Sequence, residues 1–388
     1  MLNVTALLGK PSATDSLRYG RGSRLRSGAE RRPVVVWNCT RRCNLACRHC
    51  YSDSTSHRYP ELTTEEGMAF IRDIAEFGSP ALLLSGGEPL IRPDVFELIG
   101  EARSRGMAVT LSSNGTLIND DTARLLADLG VRYVGVSLDG IGAVHDSFRG
   151  RRGAFRRTML GIRSLKEAGV RVGIRVTLTP TSIPALGAMF DLVETEGIDR
   201  ACFYHLVPAG RGAAEQAVPA TTTRAAVERI FDWAADLVAR DADVEVLTVD
   251  NYSDGPALYL RALRTDQDLA ERIHTALSWN GGAGSASGRG LAAVDWEGRV
   301  RPDQFWSGPY LGSVRDRPLS ELWTDPSPEL QWVRGRRDRL AGRCTGCRFL
   351  GLCGGGLGSR ALACTGDLDA SDPGCHLTDR EIGSIGQG

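Results

Sequence analysis

Short apolar runs alternate with amphipathic segments from residue 33 onward. The apolar runs predict strands at 34–37, 81–85, 109–112, 133–137, 172–177 and 202–206, and the segments between them predict helices at 64–77, 93–105, 120–129, 154–168 and 183–196. Thr63 precedes the first of these helices and Gly106 follows the second, as expected of helix ends. Alternating strands and helices form a parallel sheet, so the pattern predicts an α/β fold, a partial (β/α)6 TIM-like barrel whose active face lies at the carboxyl ends of the strands.

The pattern changes after residue 213. A helix is predicted at 222–240, a strand at 244–249, a helical stretch at 257–277 and a Gly/Ser-rich loop or lid at 281–290. Strands at 291–296 and 300–303 flank Glu297 and Gly298 and read as a hairpin. We therefore expect four regions: a mobile N-terminal arm at 1–32, the partial barrel at 33–213, a helical bridging region at 214–288 and a small Cys-rich domain at 289–388.

Composition narrows the class of protein. The 388 residues include 47 Lys+Arg and 47 Asp+Glu, so the formal net charge is zero and no overall field attracts nucleic acid or a membrane surface. Residues 1–10 do not resemble the apolar region of a signal peptide, and no later stretch approaches a membrane span. We expect a soluble, cytoplasmic protein without nucleic-acid or membrane partners.

The ten cysteines fall into groups that indicate metal or cluster ligation rather than disulfides. Cys43, Cys47 and Cys50 have the spacing C-x3-C-x2-C, which supplies three thiolates to a four-iron cluster and leaves one iron open for a ligand. The alternative is a tetrahedral zinc site whose fourth ligand is Cys39, His49 or His57.

Polar residues follow the predicted strands. Gly86, Gly87 and Glu88 follow the second strand, and we expect the glycines to let the backbone approach a ligand while Glu88 accepts from a cationic amine. Further candidates are Ser112 and Asn114 after the third strand, Ser137 and Asp139 after the fourth, and Arg149 as a carboxylate clamp. Ordinary turn chemistry is the alternative for the Asn-Gly and Asp-Gly pairs.

A second set of cysteines lies near the end of the chain. Cys344, Cys347, Cys353 and Cys375 supply four thiolates, enough for a complete second cluster or for zinc. Cys364 is left over, and we expect it to be a buried small residue.

The three-cysteine spacing, followed by the aromatic Tyr51, and the Gly86-Gly87-Glu88-Pro89 run resemble the radical S-adenosylmethionine (radical SAM) superfamily. The resemblance implies that a [4Fe–4S] cluster on Cys43, Cys47 and Cys50 binds S-adenosyl-L-methionine and cleaves it to a 5′-deoxyadenosyl radical. It also implies that Glu88 holds the methionine amino group and that the later strand ends and Arg149 hold the ribose and carboxylate. The C-terminal cysteines resemble a SPASM/twitch extension, which implies an auxiliary [4Fe–4S] cluster for electron transfer and a reducing partner such as flavodoxin or ferredoxin.

Within that superfamily the chain resembles the radical enzymes of alternative heme and heme d1 biosynthesis. The matching segments are 17–21, 34–38, 40–45, 137–142, 202–212, 249–251, 294–298, 302–306 and 365–373. The resemblance implies a tetrapyrrole substrate, and most closely the removal of two acetate side chains from didecarboxysiroheme to give iron-coproporphyrin III. A different small molecule or a ribosomal peptide is the alternative substrate, and a non-catalytic iron–sulfur or zinc scaffold is the alternative class.

A macrocycle with many carboxylates needs cations and aromatic faces. The candidates for these contacts are Arg18, Arg21, Arg211, Tyr204 and Trp306. His205 is a candidate to ligate the substrate iron or to donate a proton, and the alternative is that it lines a pocket through hydrogen bonds. For the arginines, the alternative is a position on the solvated surface. Two departures from the relatives are Ala293, where they have a cysteine, and the run 354–356, whose glycines we expect to shrink the side chains near the second cluster.

Overall fold

The computed structural model of the chain describes residues 1–9, 32–279 and 286–383. Its strands are β1 (Leu2–Asn3), β2 (Val34–Thr40), β3 (Ala81–Gly86), β4 (Ala108–Ser113), β5 (Tyr133–Ser137), β6 (Arg171–Leu178), β7 (Arg200–His205), β8 (Glu245–Val249), β9 (Leu291–Val294), β10 (Arg299–Arg301) and β11 (Gly312–Ser313). They form one sheet in the order β1-β8-β7-β6-β5-β4-β3-β2-β9-β10-β11.

Helices connect the strands. They are α1 (Val4–Leu7), α2 (Thr64–Glu76), α3 (Val95–Ser104), α4 (Asp120–Asp128), α5 (Ala143–Phe148), α6 (Ala154–Glu167), α7 (Leu186–Thr195), α8 (Ala220–Ala239), α9 (Asp254–Ala262), α10 (Gln267–Trp279), α11 (Leu319–Thr324), α12 (Pro328–Arg334), α13 (Leu350–Cys353), α14 (Gly358–Thr365) and α15 (Asp379–Ile382). Thr63 and Glu66 form the capping box that starts α2, as the sequence indicates. In the part of the chain that the structure describes, no helix is long and apolar enough to cross a membrane.

The predicted α/β fold with a parallel sheet is confirmed. The six predicted strands are β2 to β7, and each is parallel to the next. The sheet extends further than predicted, because β8 adds a parallel strand beside β7 and β9 adds one beside β2. The hairpin β9–β10 is antiparallel as expected, so the Cys-rich region begins on the barrel's own sheet.

Two local expectations differ from the structure. Leu2 and Asn3 pair with β8, and Leu2 and Val4 are buried in the core, so residues 1–9 are part of the barrel rather than an arm. The predicted helical stretch 257–277 consists of two helices, α9 and α10, because residues 263–266 interrupt it. Residues 10–31, with Arg18 and Arg21, and the first half of the predicted Gly/Ser loop, 281–285, lie outside the described residues.

The two faces of the sheet differ in character. On β6, Val172, Ile174 and Val176 belong to the main apolar core, whereas Arg175 and Thr177 alternate with them and are only partly buried. Side chains alternate between the faces of a strand. The sheet therefore has an apolar face under the helices and a second face, here called the inner face, that carries polar side chains.

Candidate active site

The three cysteines of the C-x3-C-x2-C run lie in one loop after β2, and the sulfur of each has a polar group beside it. Asn114 Nδ2 lies 3.9 Å from Cys43 Sγ, Arg149 Nη1 lies 3.5 Å from Cys47 Sγ, and the backbone N–H of Ser54 donates to Cys50 Sγ at 3.3 Å. Burial raises the pKa of Cys43 to about 12. Iron coordination deprotonates a thiol regardless of its free pKa, and the surrounding donors then stabilise the thiolates.

Arg211 holds this loop in place through hydrogen bonds. Its backbone N–H donates to Cys50 O at 3.0 Å, its Nε donates to Cys47 O at 3.0 Å, and its Nη1 donates to Asp53 Oδ1 at 2.9 Å. Arg211 therefore holds the backbone of the cysteine loop, while its Nη2 is buried without a hydrogen-bond partner among the described residues.

Gly86 and Gly87 join the end of β3 to the cysteine loop. The backbone N–H of Gly87 donates to Thr40 O at 2.8 Å, and a Cβ on either glycine would overlap the backbone of residues 38–42. The glycines are required by this close approach of two chain segments rather than by a ligand. They place Glu88 beside the cysteine loop.

Glu88 is a fully buried carboxylate with three hydrogen-bond donors. Asn114 N donates to Oε2 at 2.8 Å, while Ser113 Oγ and Leu90 N donate to Oε1 at 2.9 and 3.3 Å. Burial raises the pKa of Glu88 to about 7. In the described residues no Arg, Lys or His forms an ion pair with it, so a cationic ligand would stabilise its charged form. Ser113 was missed because the sequence argument chose its neighbour, Ser112, which lies on the opposite face of β4.

Two of the other strand-end candidates, Asn114 and Ser112, have hydrogen-bond partners within the protein. Asn114 Nδ2 donates to Asn44 Oδ1 at 2.8 Å and its Oδ1 accepts from Thr116 N at 2.9 Å, so its amide braces the loop of Cys43. Ser112 Oγ accepts from Arg175 Nη1 at 2.8 Å on the inner face. Ser137 lies opposite Arg175 in the β5–β6 register.

Asp139 and Arg149 form a buried ion pair behind the cysteine loop. Asp139 Oδ1 also accepts from Thr177 N at 2.7 Å, and His49 Nε2 lies 3.7 Å from its Oδ2. The Arg149 guanidinium holds the pKa of Asp139 below its usual range, and burial lowers the pKa of His49 to about 4. Arg149 was expected to clamp a ligand carboxylate; its partners here are Asp139 and Cys47.

His205 faces away from the inner face. His205 is two residues after Phe203 on β7, so its side chain lies on the same face of the strand as Phe203, which packs against Trp233 of α8. His205 Nε2 lies 2.9 Å from Asp254 Oδ2. Asp254 Oδ1 is bonded to His376 Nε2 at 2.8 Å, and the carboxyl pKa of Asp254 is strongly lowered by both histidines. The structure supports the pocket-lining alternative, because His205 is a buried link between β7, α9 and the C-terminal segment.

The inner face holds aromatic side chains above the sheet. The ring of Tyr204 lies 5.9 Å from Arg175 Cζ, and Tyr51 OH donates to Asn38 Oδ1 at 2.8 Å. Trp306 was expected beside them, but it is buried against Val333 and donates from Nε1 to Pro309 O at 2.9 Å, so it belongs to the C-terminal core.

The four C-terminal cysteines line one cavity. Cys344, Cys347, Cys353 and Cys375 surround it together with Asn251, the residue whose Nδ2 lies 3.3 Å from His205 Nδ1. Burial raises the pKa of Cys353 to about 12. The four thiols suit a fully ligated cluster.

One expectation for this region is corrected. Cys364 is exposed on α14 rather than buried, and it does not line the cavity. Gly355 and Gly356 line the cavity beside the cysteines, and a Cβ on them would overlap Leu340 and Asp372. Across the described part of the chain, no three His, Cys, Asp or Glu side chains meet the geometry for holding a single metal ion.

The comparisons with known proteins agree with this geometry. The sequence profile of the Radical SAM superfamily matches residues 37–186. Fe-coproporphyrin III synthase of Methanosarcina barkeri is 44% identical over 99% of this chain and 99% of its own length. Pre-heme d1 synthase of Dinoroseobacter shibae is 41% identical over 95% of this chain and 92% of its own. The structure of anSMEcpe with bound AdoMet and Cp18Cys peptide covers 91% of this chain and 96% of its own, with a TM-score of 0.70 and 18% identity.

These findings define an iron–sulfur enzyme that uses S-adenosylmethionine. The chain belongs to the radical SAM superfamily, as the spacing of Cys43, Cys47 and Cys50 indicated. Its cofactors are S-adenosylmethionine and a [4Fe–4S] cluster.

Proposed function

We propose that this enzyme removes the two acetate side chains of didecarboxysiroheme to give iron-coproporphyrin III. The observation that carries the proposal is the 44% identity with Fe-coproporphyrin III synthase over the full length of both chains. The 41% identity with pre-heme d1 synthase favours a second candidate, a reaction at the propionate groups of the same tetrapyrrole.

Cys43, Cys47 and Cys50 would hold the cluster that binds S-adenosylmethionine. They fit this role because they lie in one loop, and each sulfur has a nearby donor that suits a thiolate. When bound, the cofactor supplies a 5′-deoxyadenosyl radical that abstracts a hydrogen atom from the substrate. Glu88 would hold the amino group of S-adenosylmethionine, because it is a buried carboxylate whose three donors leave its charge without a cation.

Cys344, Cys347, Cys353 and Cys375 would hold the auxiliary cluster. Four thiols leave no iron open, so this cluster would exchange electrons rather than bind the substrate. The electron for the first cluster would come from a reducing protein such as flavodoxin or ferredoxin.

The chain's own residues would orient the tetrapyrrole. The inner face presents the ring of Tyr204 beside the partly buried guanidinium of Arg175, so an aromatic macrocycle would find both an apolar face and a cation there. His205 lies on the opposite face of β7, and its place in the Asp254 network supports a structural role.

The test is an anaerobic incubation of the reconstituted enzyme with dithionite, S-adenosylmethionine and didecarboxysiroheme. We expect 5′-deoxyadenosine and a tetrapyrrole that has lost both acetate groups, with a Cys47→Ala variant as the inactive control. A product altered at its propionates would favour the second candidate. Formation of 5′-deoxyadenosine with an unchanged tetrapyrrole would refute both substrate assignments.

A further inference from the structure

Arg175 places a positive charge on the inner face of the sheet. It lies on β6, where Val172 and Ile174 point to the helices and Arg175 takes the opposite side. A guanidinium stays charged at every physiological pH. A charge at this position needs a partner, since burying an unpaired ion is costly.

The neighbouring strand makes room for this side chain. A Cβ at Gly135 on β5 would overlap Arg175 Nε, so the glycine lets the arginine cross β5. The guanidinium then reaches β4, where Nη1 donates to Ser112 Oγ at 2.8 Å. Arg175 is therefore held in one orientation by the backbone of β5 and the hydroxyl of Ser112.

Most of the guanidinium has no hydrogen-bond or ion-pair partner in the part of the chain that the structure describes. Within the described residues, Nη1 alone donates a hydrogen bond, Nε is buried without one, and no carboxylate lies within ion-pair distance. Burial raises the pKa of Asp250 to about 6 although the positive charges of Arg360 and Arg175 oppose the shift, and Asp250 forms no ion pair with Arg175 within the described residues.

Two other arginines on the same face form ion pairs with a carboxylate of the protein. Arg171, four residues nearer the amino end of β6, pairs with Glu245 Oε1 at 3.1 Å, and Arg200 pairs with the same carboxylate. Arg175 has the same face and strand as Arg171 but lacks such a carboxylate. No described residue supplies that anion, which leaves the position available to the carboxylate of a ligand.

We propose that Arg175 anchors a carboxylate inside the barrel and that this carboxylate is a side chain of the tetrapyrrole substrate. The inference rests on the proposed function. A planar guanidinium binds a carboxylate through two parallel hydrogen bonds, and the ring of Tyr204, 5.9 Å from Arg175 Cζ, offers a face to the macrocycle. The methionine carboxylate of S-adenosylmethionine has the same chemistry, so the test must separate the two sources.

Equilibrium dialysis of the holoenzyme, with both clusters loaded, separates them. One arm measures the binding of metal-free coproporphyrin III, and the other measures the binding of S-adenosylmethionine alone. The variants are Arg175→Met, Arg175→Lys and the matched control Arg171→Met. Iron content and thermal unfolding are recorded for each variant.

We expect Arg175→Met to weaken coproporphyrin III binding about 10- to 100-fold, since a charge-assisted hydrogen bond is lost. The affinity of Arg175→Met for S-adenosylmethionine should stay within about twofold of wild type. The affinity of Arg175→Lys for coproporphyrin III should lie between that of Arg175→Met and that of wild type. Arg171→Met should bind both ligands with wild-type affinity. If Arg175→Met loses its clusters, the binding of coproporphyrin III and of S-adenosylmethionine to Arg175→Lys provides the test instead.

Three results would overturn the inference. Weaker S-adenosylmethionine binding with unchanged porphyrin binding would assign the carboxylate to the cofactor, and unchanged binding of both would leave Arg175 a structural residue. A wild-type enzyme that binds no porphyrin and does not convert didecarboxysiroheme would refute the proposed function as well. If the wild-type enzyme converts didecarboxysiroheme and its affinity for porphyrin equals that of Arg175→Met, the inference fails while the proposed function stands.

Discussion

The guanidinium of Arg149 lies against the thiol of Cys47, with Nη1 3.5 Å from Sγ. Its other nitrogen pairs with Asp139, so one buried arginine connects a carboxylate after β5 with a cysteine of the loop after β2. Hydrogen bonds to cluster sulfurs are among the features that set the reduction potential of an iron–sulfur cluster. Arg149 is thus positioned to tune a cluster on Cys47 in addition to shaping its loop.

Arg149→Met should destabilise the protein and lower the reduction potential of the first cluster. The change leaves Asp139 buried without its cation, at a cost of about 3–5 kcal/mol in the free energy of unfolding. Urea denaturation measures the stability, and a redox titration followed by EPR measures the potential. The Asp139→Asn/Arg149→Met double variant should regain part of the stability. An unchanged potential in either variant would show that Arg149 does not act on the cluster.

Glu88→Gln should remove a pH dependence of stability. Burial raises the pKa of Glu88 to about 7 from an ordinary value of 4.5, so the folded state binds more protons than the unfolded state between these pH values. Wild-type stability therefore declines from pH 4.5 to pH 7 because of this group, by at most about 3 kcal/mol, and then levels off. Glu88→Gln lacks that decline, so its stability relative to wild type should rise between pH 5 and pH 8.

Urea denaturation of the two metal-free proteins at both pH values checks this prediction. His49 and His145, whose pKa values are lowered to about 4 by burial, titrate equally in both proteins and cancel in the comparison. A difference in stability that stays constant with pH would contradict the raised pKa of Glu88.

His205→Leu should retain cleavage of S-adenosylmethionine and lose stability. Leucine removes a hydrogen-bond partner of the fully buried Asp254, which costs about 1–3 kcal/mol. The measurements are 5′-deoxyadenosine formation and urea denaturation. A general acid or base contributes about 100- to 10,000-fold to a rate. A loss of that size in a folded, cluster-loaded variant would restore His205 as a catalytic candidate.

The variants Cys353→Ser and Cys364→Ser should distinguish a cluster ligand from a cysteine that does not bind the cluster. Cys353 lines the C-terminal cavity, whereas Cys364 is exposed on α14 outside it. We expect Cys353→Ser to lose the iron and the absorbance of the auxiliary cluster, and Cys364→Ser to keep both. In the holoenzyme, iodoacetamide should label Cys364 and spare Cys353. Loss of iron in Cys364→Ser would place that thiol among the ligands.

The strands of the barrel were predictable because their information is local. An apolar run in β6 or β7 identifies a strand from its own residues, and a parallel sheet follows from the alternation with helices. The addition of β8, β9 and β1 to the sheet was not predictable, because strand pairing depends on contacts between distant segments. Alternation along β7 did hold one unused clue, since it places His205 on the same face as Phe203.

The sequence by itself determined which thiols form the two cysteine groups and that Glu88 follows β3, because each depends on spacing within one short segment. The tertiary structure decided the partners of the arginines. Arg149 meets Cys47, which is 102 residues away, Arg211 meets the same loop from 164 residues away, and Arg175 donates to Ser112, which is 63 residues away. A long, charged side chain reaches any acceptor that the fold brings within its length. Its role is therefore set by which distant segments pack beside it, and no local pattern records that.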